Sequence, residues 1–293
     1  MSILPSRIYV GLALAGAFLL PVQPAAAQDR PLQTPDAEVV PSGTARVAVG
    51  FDFLQDISYP LSGLSGDLTQ VGDLDVRYGV GGVVEFELSG IAQQFLDVKQ
   101  QGASFIPTLA LTGPDATRDI GDFTLAAKFR LFGQSHRHPA VAFRFGLIMP
   151  NTNQDRGIGN NATDIFSDFD IEHSFGRLDT FGDLGLEIMT APNALYSQND
   201  ETLYGAAFRY PLGTHVNLVG EVNGRYTPRK IIPVLYGTES RGEARLGLDV
   251  SAEGFVWDVA ATKGINHYDE SYGWTFGVTH DITLFPPKKN SSQ

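Results

Sequence analysis

The chain has 293 residues, a formal net charge of −12 and no cysteine. The acidic balance argues against nucleic-acid binding, which needs a basic face. The missing cysteine excludes disulfides, thiolate metal sites and a lipid anchor on an amino-terminal cysteine. Glycine (32), phenylalanine (19) and tyrosine (10) are abundant, a composition that suits a membrane β-barrel or a soluble β-sandwich.

The amino terminus is typical of a secretory signal peptide. Arg7 supplies a positive charge, residues 8–20 form an apolar run, and two prolines precede the alanines at 25–27. A positive start, a short apolar run and small residues mark such a peptide. The run is shorter than the roughly 20 residues of a spanning helix, although an uncleaved anchor is the alternative. We predict that residues 1–27 are the signal, with cleavage between Ala27 and Gln28.

Residues 28–42 have no periodicity and contain Pro31, Pro35 and Pro41. Proline clusters between periodic segments indicate irregular structure. The sequence therefore predicts that residues 28–42 are an extended lead-in on the periplasmic side.

From residue 43 to residue 285, apolar and polar residues alternate with a period of two, as in strands with two unlike faces. Residues 44–53 show the pattern best. One face carries Ala45, Val47, Val49, Phe51 and Phe53, and the other carries Thr44, Arg46, Ala48, Gly50 and Asp52. The pattern predicts about twelve strands of roughly 8–13 residues, the length of a tilted membrane-crossing strand. Residues 286–293 are predicted to be a polar tail.

The connections between these segments alternate in length. Short ones lie near residues 79–82, 176, 211–213 and 251–254, with a slightly longer one at 133–137. Long ones lie at 54–67, 90–121, 150–162, 189–201, 226–238 and 264–271. Outer-membrane barrels have short periplasmic turns and long external loops, whereas a soluble sandwich has no reason for this alternation. We therefore predict an all-β, transmembrane, antiparallel up-and-down barrel in the cell outer membrane, surrounded by its lipid.

Three stretches resemble a known family. Residues 121–132 read Gly-Asp-Phe-Thr-Leu-Ala-Ala-Lys-Phe-Arg-Leu-Phe, with Phe129 where the family usually has tyrosine; residues 73–79 and 204–212 also fit. The chain resembles the transporter-like outer-membrane family labelled "MetA-pathway of phenol degradation". The resemblance spans most of residues 28–293, and it implies a barrel that takes up aromatic or other hydrophobic compounds.

Charged residues on the polar face collect in the periplasmic half of the predicted barrel. The main members of this charged belt are Arg46, Asp75, Arg77, Glu85, Glu87, Lys128, Arg130, Arg209 and Arg245. Lys128 and Arg130 are predicted to face the two glutamates across neighbouring strands, where opposite charges stabilise the pair. The belt is either a salt-bridge network that holds the barrel's shape or a constriction that selects solutes by charge.

No enzyme motif is evident. Residues 62–67 contain serines but lack the spacing of a nucleophile elbow. His173 and His280 point outward near the periplasmic end without an evident serine partner. We predict no catalytic residues, no metal and no cofactor, and we leave the oligomeric state open. The functional alternatives are a channel for a small-molecule solute, a structural or adhesive barrel with a plugged lumen and, more remotely, an outer-membrane hydrolase.

Overall fold

The computed structural model describes residues 30–135, 137–192, 197–229 and 236–285. Its strands are β1 (Thr44–Tyr59), β2 (Leu64–Val80), β3 (Val84–Gln101), β4 (Ala116–Asp119), β5 (Phe123–Phe132), β6 (Ala140–Met149), β7 (Asp164–Phe175), β8 (Leu178–Met189), β9 (Asn199–Pro211), β10 (Val216–Tyr226), β11 (Arg241–Ala252), β12 (Phe255–Gly264) and β13 (Tyr272–Thr283). A short 3-10 helix lies at Gln154–Arg156. The predicted cleavage site at Ala27 and Gln28 and the tail at 286–293 lie outside the described residues.

All the strands belong to one antiparallel sheet that closes on itself. Each wall strand pairs with its neighbour along the chain, β1 pairs with β13, and the β2–β3 pairing completes the circle. The short β4 is the extra strand, and it pairs only with Gln94–Asp97 of β3. The other twelve strands form the closed wall, which confirms the predicted up-and-down barrel.

The two ends of the barrel differ in their connections. At one end lie tight links such as residues 81–83, 176–177 and 253–254, together with the first and last wall residues, Thr44 and Thr283, which face each other in register. We call this the short-turn end. At the other end, the long-loop end, lie residues 102–122, 150–163, 190–192, 197–198, 227–229, 236–240 and 265–271. Among the described residues, no helix has the length and apolar composition needed to cross a membrane.

Strands β1, β2 and β3 extend much further than the alternation predicts. The expected loop at 54–67 is strand except for a turn at 60–63, and residues 90–101 continue β3. The β1–β2 register shifts between Gly50 and Phe51 and again between Leu54 and Ile57, and Asp56 has a positive φ of 58°. Each bulge inserts a residue that breaks the period of two, and the interrupted pattern was therefore wrongly assigned to a loop.

The outer surface of the wall is apolar all the way round. Large exposed side chains include Phe51, Phe86, Leu125, Phe145, Phe169, Leu184, Leu186, Val222, Leu246, Trp257 and Trp274. Inside a bilayer every backbone polar group needs a partner, and a closed barrel supplies one through its inter-strand hydrogen bonds. A closed barrel with an apolar outer band is an integral outer-membrane protein surrounded by lipid.

Residues 30–42 were predicted to lie on the periplasmic side, outside the barrel, but they lie inside it. They have no strand structure, apart from one bridge at Ser42, and most of them are buried against the inward face of the wall. We call residues 30–42 the amino-terminal segment. The inward face is rich in charge, so a charged segment finds partners there that it lacks in the periplasm.

Candidate functional site

The amino-terminal segment leaves the lumen at the short-turn end. Ser42 bridges to Gly79 near the end of β2, and the amide of Gly43 donates to the Gly79 carbonyl at 2.9 Å. Further inside, the amide of Val40 donates to a carboxylate oxygen of Glu85 on β3 at 2.6 Å. These contacts fix the segment at the point where the wall begins.

Two acidic residues of the segment pair with the predicted belt. Asp36 accepts a hydrogen bond from the Lys128 ammonium at 2.6 Å and lies 3.9 Å from the Arg77 guanidinium. Glu38 accepts from Arg130 at 2.7 Å. The segment therefore contributes carboxylates to the ion pairs of β2 and β5.

The next residues follow the opposite wall. The amides of Gln33 and Thr34 donate to the Glu221 carboxylate of β10 at 2.9 and 2.8 Å. Arg245 of β11 donates to the Pro31 carbonyl at 2.6 Å. Leu32 packs into a small apolar cluster with Phe181, Ala207 and Val219.

Arg30, the first residue of the segment, contacts further wall strands at mid-height of the barrel. Its guanidinium forms an ion pair with Asp73 of β2 and lies 3.7 Å from Asp52 of β1 and 3.8 Å from Asp258 of β12. A Cβ atom at Gly50 or Gly277 would overlap this guanidinium, so the two glycines make the space that it occupies. The segment thus runs round the inner wall from β3 to β1 and lies across the lumen.

All nine residues of the predicted belt are ion-paired. Lys128 is directly opposite Glu85, with its ammonium 2.9 Å from Glu85 and 3.9 Å from Glu87. Arg130 differs from the prediction, because its partner is Glu38 of the segment and not a glutamate of β3. The remaining pairs are Arg46 with Asp281 (2.7 Å), Arg77 with Asp75 (2.9 Å), Arg209 with Asp249 (3.5 Å), and Arg245 with Glu243 (2.7 Å) and Glu221 (3.6 Å).

Sequence reasoning missed the charged residues of the segment that pair with the inner wall. Arg30, Asp36 and Glu38 lie in a stretch without periodicity, where no face can be assigned. The only feature of the sequence that could have indicated these contacts is the presence of charged residues in a stretch that otherwise resembles a proline-containing linker. The acidic side chains inside β7, β8 and β9 were visible as charges, but the shortage of basic partners near them depends on the strand register.

The long-loop end holds an apolar cluster. Leu64, Leu68 and Leu96 from β2 and β3 are buried there with Ile158 from the loop after β6. A small cavity beside them is lined by Tyr59, Pro60, Leu61, Ile106, Gly157, Gly159, Asn160, Gly237 and Glu239. Apolar side chains at this end face other loops, so the outer mouth is packed differently from the charged mid-lumen.

The residues considered for catalysis have structural contacts. The buried Ser62 hydroxyl donates to the Gly157 carbonyl at 2.6 Å. The His280 ring stacks on Phe255, with Nδ1 2.8 Å from the Gly254 carbonyl. His173 makes an edge contact with Phe175. The Ser62 contact stabilises a loop, and the two histidine contacts stabilise the rim at the short-turn end. None of these contacts places a serine beside either histidine.

Comparison with known proteins gives likeness in fold only. No family model matches the chain, and no curated protein matches it. Among solved structures, the NanC porin is 8% identical, with 81% of this chain and 100% of that one covered and a TM-score of 0.47. The translocator domain of the autotransporter NalP from Neisseria meningitidis is 12% identical, with coverage of 80% and 88% and a TM-score of 0.47. The Pseudomonas putida toluene transporter TodX is 10% identical, with coverage of 84% and 90% and a TM-score of 0.41.

Proposed function

We propose that the protein is a gated outer-membrane channel for small solutes and that the amino-terminal segment is its gate. The observation that supports this most directly is the course of residues 30–40 across the lumen. Because one segment touches strands on all sides of the barrel, it obstructs passage at mid-height. Displacing it opens a path lined by polar side chains, as in other water-filled barrels.

The chemistry of the contacts favours a removable gate over a permanent filling. The segment is held by ion pairs and by single hydrogen bonds to carboxylates, with one leucine in an apolar cluster. Water can replace such polar contacts one at a time, because the net value of a hydrogen bond to a charged group exchanged with water is about 1.5–3 kcal/mol. The segment also has no strand pairing with the wall beyond Ser42.

The absence of cysteine from the chain makes a lock experiment straightforward. Ala37 of the segment packs in a cluster with Ala140 and Ala142 of β6, and all three are fully buried. We expect the Ala37→Cys/Ala142→Cys variant to conduct like wild type in a planar bilayer when reduced and to stop conducting when oxidised. The two single-cysteine variants are the matched controls, and oxidation should leave their conductance unchanged.

Two results would contradict the proposal. Equal conductance of the oxidised and reduced double variant, with the disulfide verified by mass, would show that the segment does not gate the lumen. Absence of current from wild type and from a variant that lacks residues 30–40, with both folded by gel mobility, would favour the structural or adhesive barrel with a plugged lumen. The ion pairs that hold the segment are the observation on which that second candidate rests.

The solute class implied by the family resemblance, aromatic or other hydrophobic compounds, has one supporting feature. The apolar cluster around Leu64, Leu96 and Ile158 lies at the outer mouth, where such a compound would first be held. Fluorescence quenching by an aromatic probe should therefore weaken in the Leu96→Asn variant and persist in Leu186→Asn, which changes the outer wall. Equal quenching in both variants would remove the support for a hydrophobic solute.

A further inference from the structure

The inner wall formed by β7, β8 and β9 has more carboxylates than basic partners. Six of these carboxylates, which we call the acidic stripe, are Asp164, Asp168, Asp170, Asp183, Glu187 and Glu201. The guanidinium groups that pair with them are those of Arg144, at 3.3 Å from Asp168, and Arg225, at 3.3 Å from Glu201. Arg144 also pairs with Glu87 of β3, so the stripe has a negative excess.

Two pairs of these carboxylates lie directly opposite each other on neighbouring strands. Asp170 is in register with Asp183, and Glu187 is in register with Glu201. Like charges directly opposite each other in a sheet are destabilising, and the repulsion grows where the surroundings are less polar than water. A cation held between the members of each pair would convert the repulsion into attraction.

Several buried oxygens of the stripe lack hydrogen-bond partners within the part of the chain that the structure describes. Neither carboxylate oxygen of Asp170 has a hydrogen-bond partner, although the residue is 0% exposed, and Oε1 of Glu187 also has none at 3% exposure. A buried carboxylate without partners is costly. Asp249 is buried to the same degree at 3% exposure, but it is satisfied by Asn217 at 2.5 Å and Arg209 at 3.5 Å.

The stripe leads from the gate to the outer mouth. Asp183 lies at mid-height, where its carboxylate and the Thr34 hydroxyl of the segment both lie over Gly205. Glu187 is four residues further along β8 toward the long-loop end, a rise of about 13 Å. A solute entering from outside would therefore meet the upper carboxylate pair first and the lower pair beside the segment.

We propose that the acidic stripe binds solutes that carry an ammonium or guanidinium group, and that the channel favours such cationic solutes. Opposed carboxylates accept several N–H bonds at once, and those from a cationic group are charge-assisted and therefore stronger than those from a neutral solute such as urea. Among the described residues, no group of three or more acidic or histidine ligands is arranged to hold a metal ion. The transport part of this inference rests on the proposed function, whereas the binding part does not.

The test measures binding by calorimetry on the refolded full-length protein in vesicles, with methylguanidinium chloride as the probe and urea as its neutral counterpart. We expect wild type to bind methylguanidinium and not urea. Asp170→Asn/Asp183→Asn and Glu187→Gln/Glu201→Gln should each bind it about tenfold more weakly or worse, because charge-assisted hydrogen bonds are lost. Asp249→Asn, which removes a paired lumen carboxylate, is the matched control and should bind like wild type.

The binding test distinguishes three outcomes. No binding to wild type, or equal binding by wild type and both stripe variants, overturns the inference. An equal loss in Asp249→Asn overturns it as well, because lumen charge in general would then explain the binding. Intact binding that depends on the stripe, combined with absence of current under all conditions, leaves the inference standing and refutes only the channel.

Discussion

Lys128 is the side chain whose removal should most disturb the mid-lumen. It is fully buried, and its ammonium lies 2.6 Å from Asp36, 2.9 Å from Glu85 and 3.9 Å from Glu87. Removing one partner of a buried ion pair costs about 3–5 kcal/mol, because the remaining charge is left without water or a counterion. We expect Lys128→Ala to lower the free energy of unfolding by that amount.

Lys99 offers a control of the same residue type with the same kind of partners. It lies 2.8 Å from Asp56 and 2.6 Å from Asp67, but its side chain is 45% exposed. Exposed ion pairs contribute only about 0.2–1 kcal/mol. Lys99→Ala should therefore change the free energy of unfolding far less than Lys128→Ala does. The two variants differ mainly in burial, so the comparison isolates the effect of the water-excluded lumen.

Urea unfolding in vesicles, followed by the fluorescence of the two tryptophans, measures both variants. Conductance provides a second readout, because Lys128 holds Asp36 of the gate. In Lys128→Ala we expect more frequent opening and a shift toward cation selectivity, since the acidic partners remain. Equal destabilisation by the two substitutions, with unchanged conductance, would refute the assignment of Lys128 to a buried network that holds the segment.

Three further results are expected. A tag inserted near Asp115, in the exposed part of the longest loop, should be labelled on intact cells, and labelling only after lysis would invert the orientation. Leu125→Arg should cost roughly 2–4 kcal/mol and reduce the folded band on gels far more than Thr124→Arg, because Leu125 is 48% exposed on the lipid face. Burial, with help from Glu243 and Asp269, raises the pKa of Glu270 in the loop at 265–271 from 4.5 to about 7. The native state therefore binds this proton more tightly than the unfolded state does, so stability should fall as the pH rises from about 4.5 to about 7. Glu270→Gln should flatten that fall, and an unchanged pH profile would count against the burial of this carboxyl.

The period of two is a local property, and the sequence by itself was enough to determine the faces of the wall strands. Phe51 and Phe53 point to lipid and Arg46 and Asp52 point inward, as the alternation of β1 predicts. The barrel class also followed from the sequence, because the alternation of loop lengths depends only on where the pattern stops and resumes.

Strand length could not be read in the same way. The bulge in β2 at Gly72, opposite Gly50 and Phe51, and the bulge in β1 between Leu54 and Ile57 both depend on how β1 pairs with β2. An inserted residue shifts the parity of everything that follows it, and the second half of the strand then resembles a loop. Only the pairing in three dimensions restores the register.

The lumen was decided by the tertiary structure alone. Arg30 meets Thr275, a residue 245 positions away, and Lys128 meets Asp36 across 92 positions. Such contacts arise because a closed wall brings distant strands to one height, where unpaired charges on its inner face favour an oppositely charged segment. The register of the neighbouring strands β7 and β8 places Asp170 opposite Asp183. Composition reports how many charges a chain has, whereas the register of the strands decides which of them are paired.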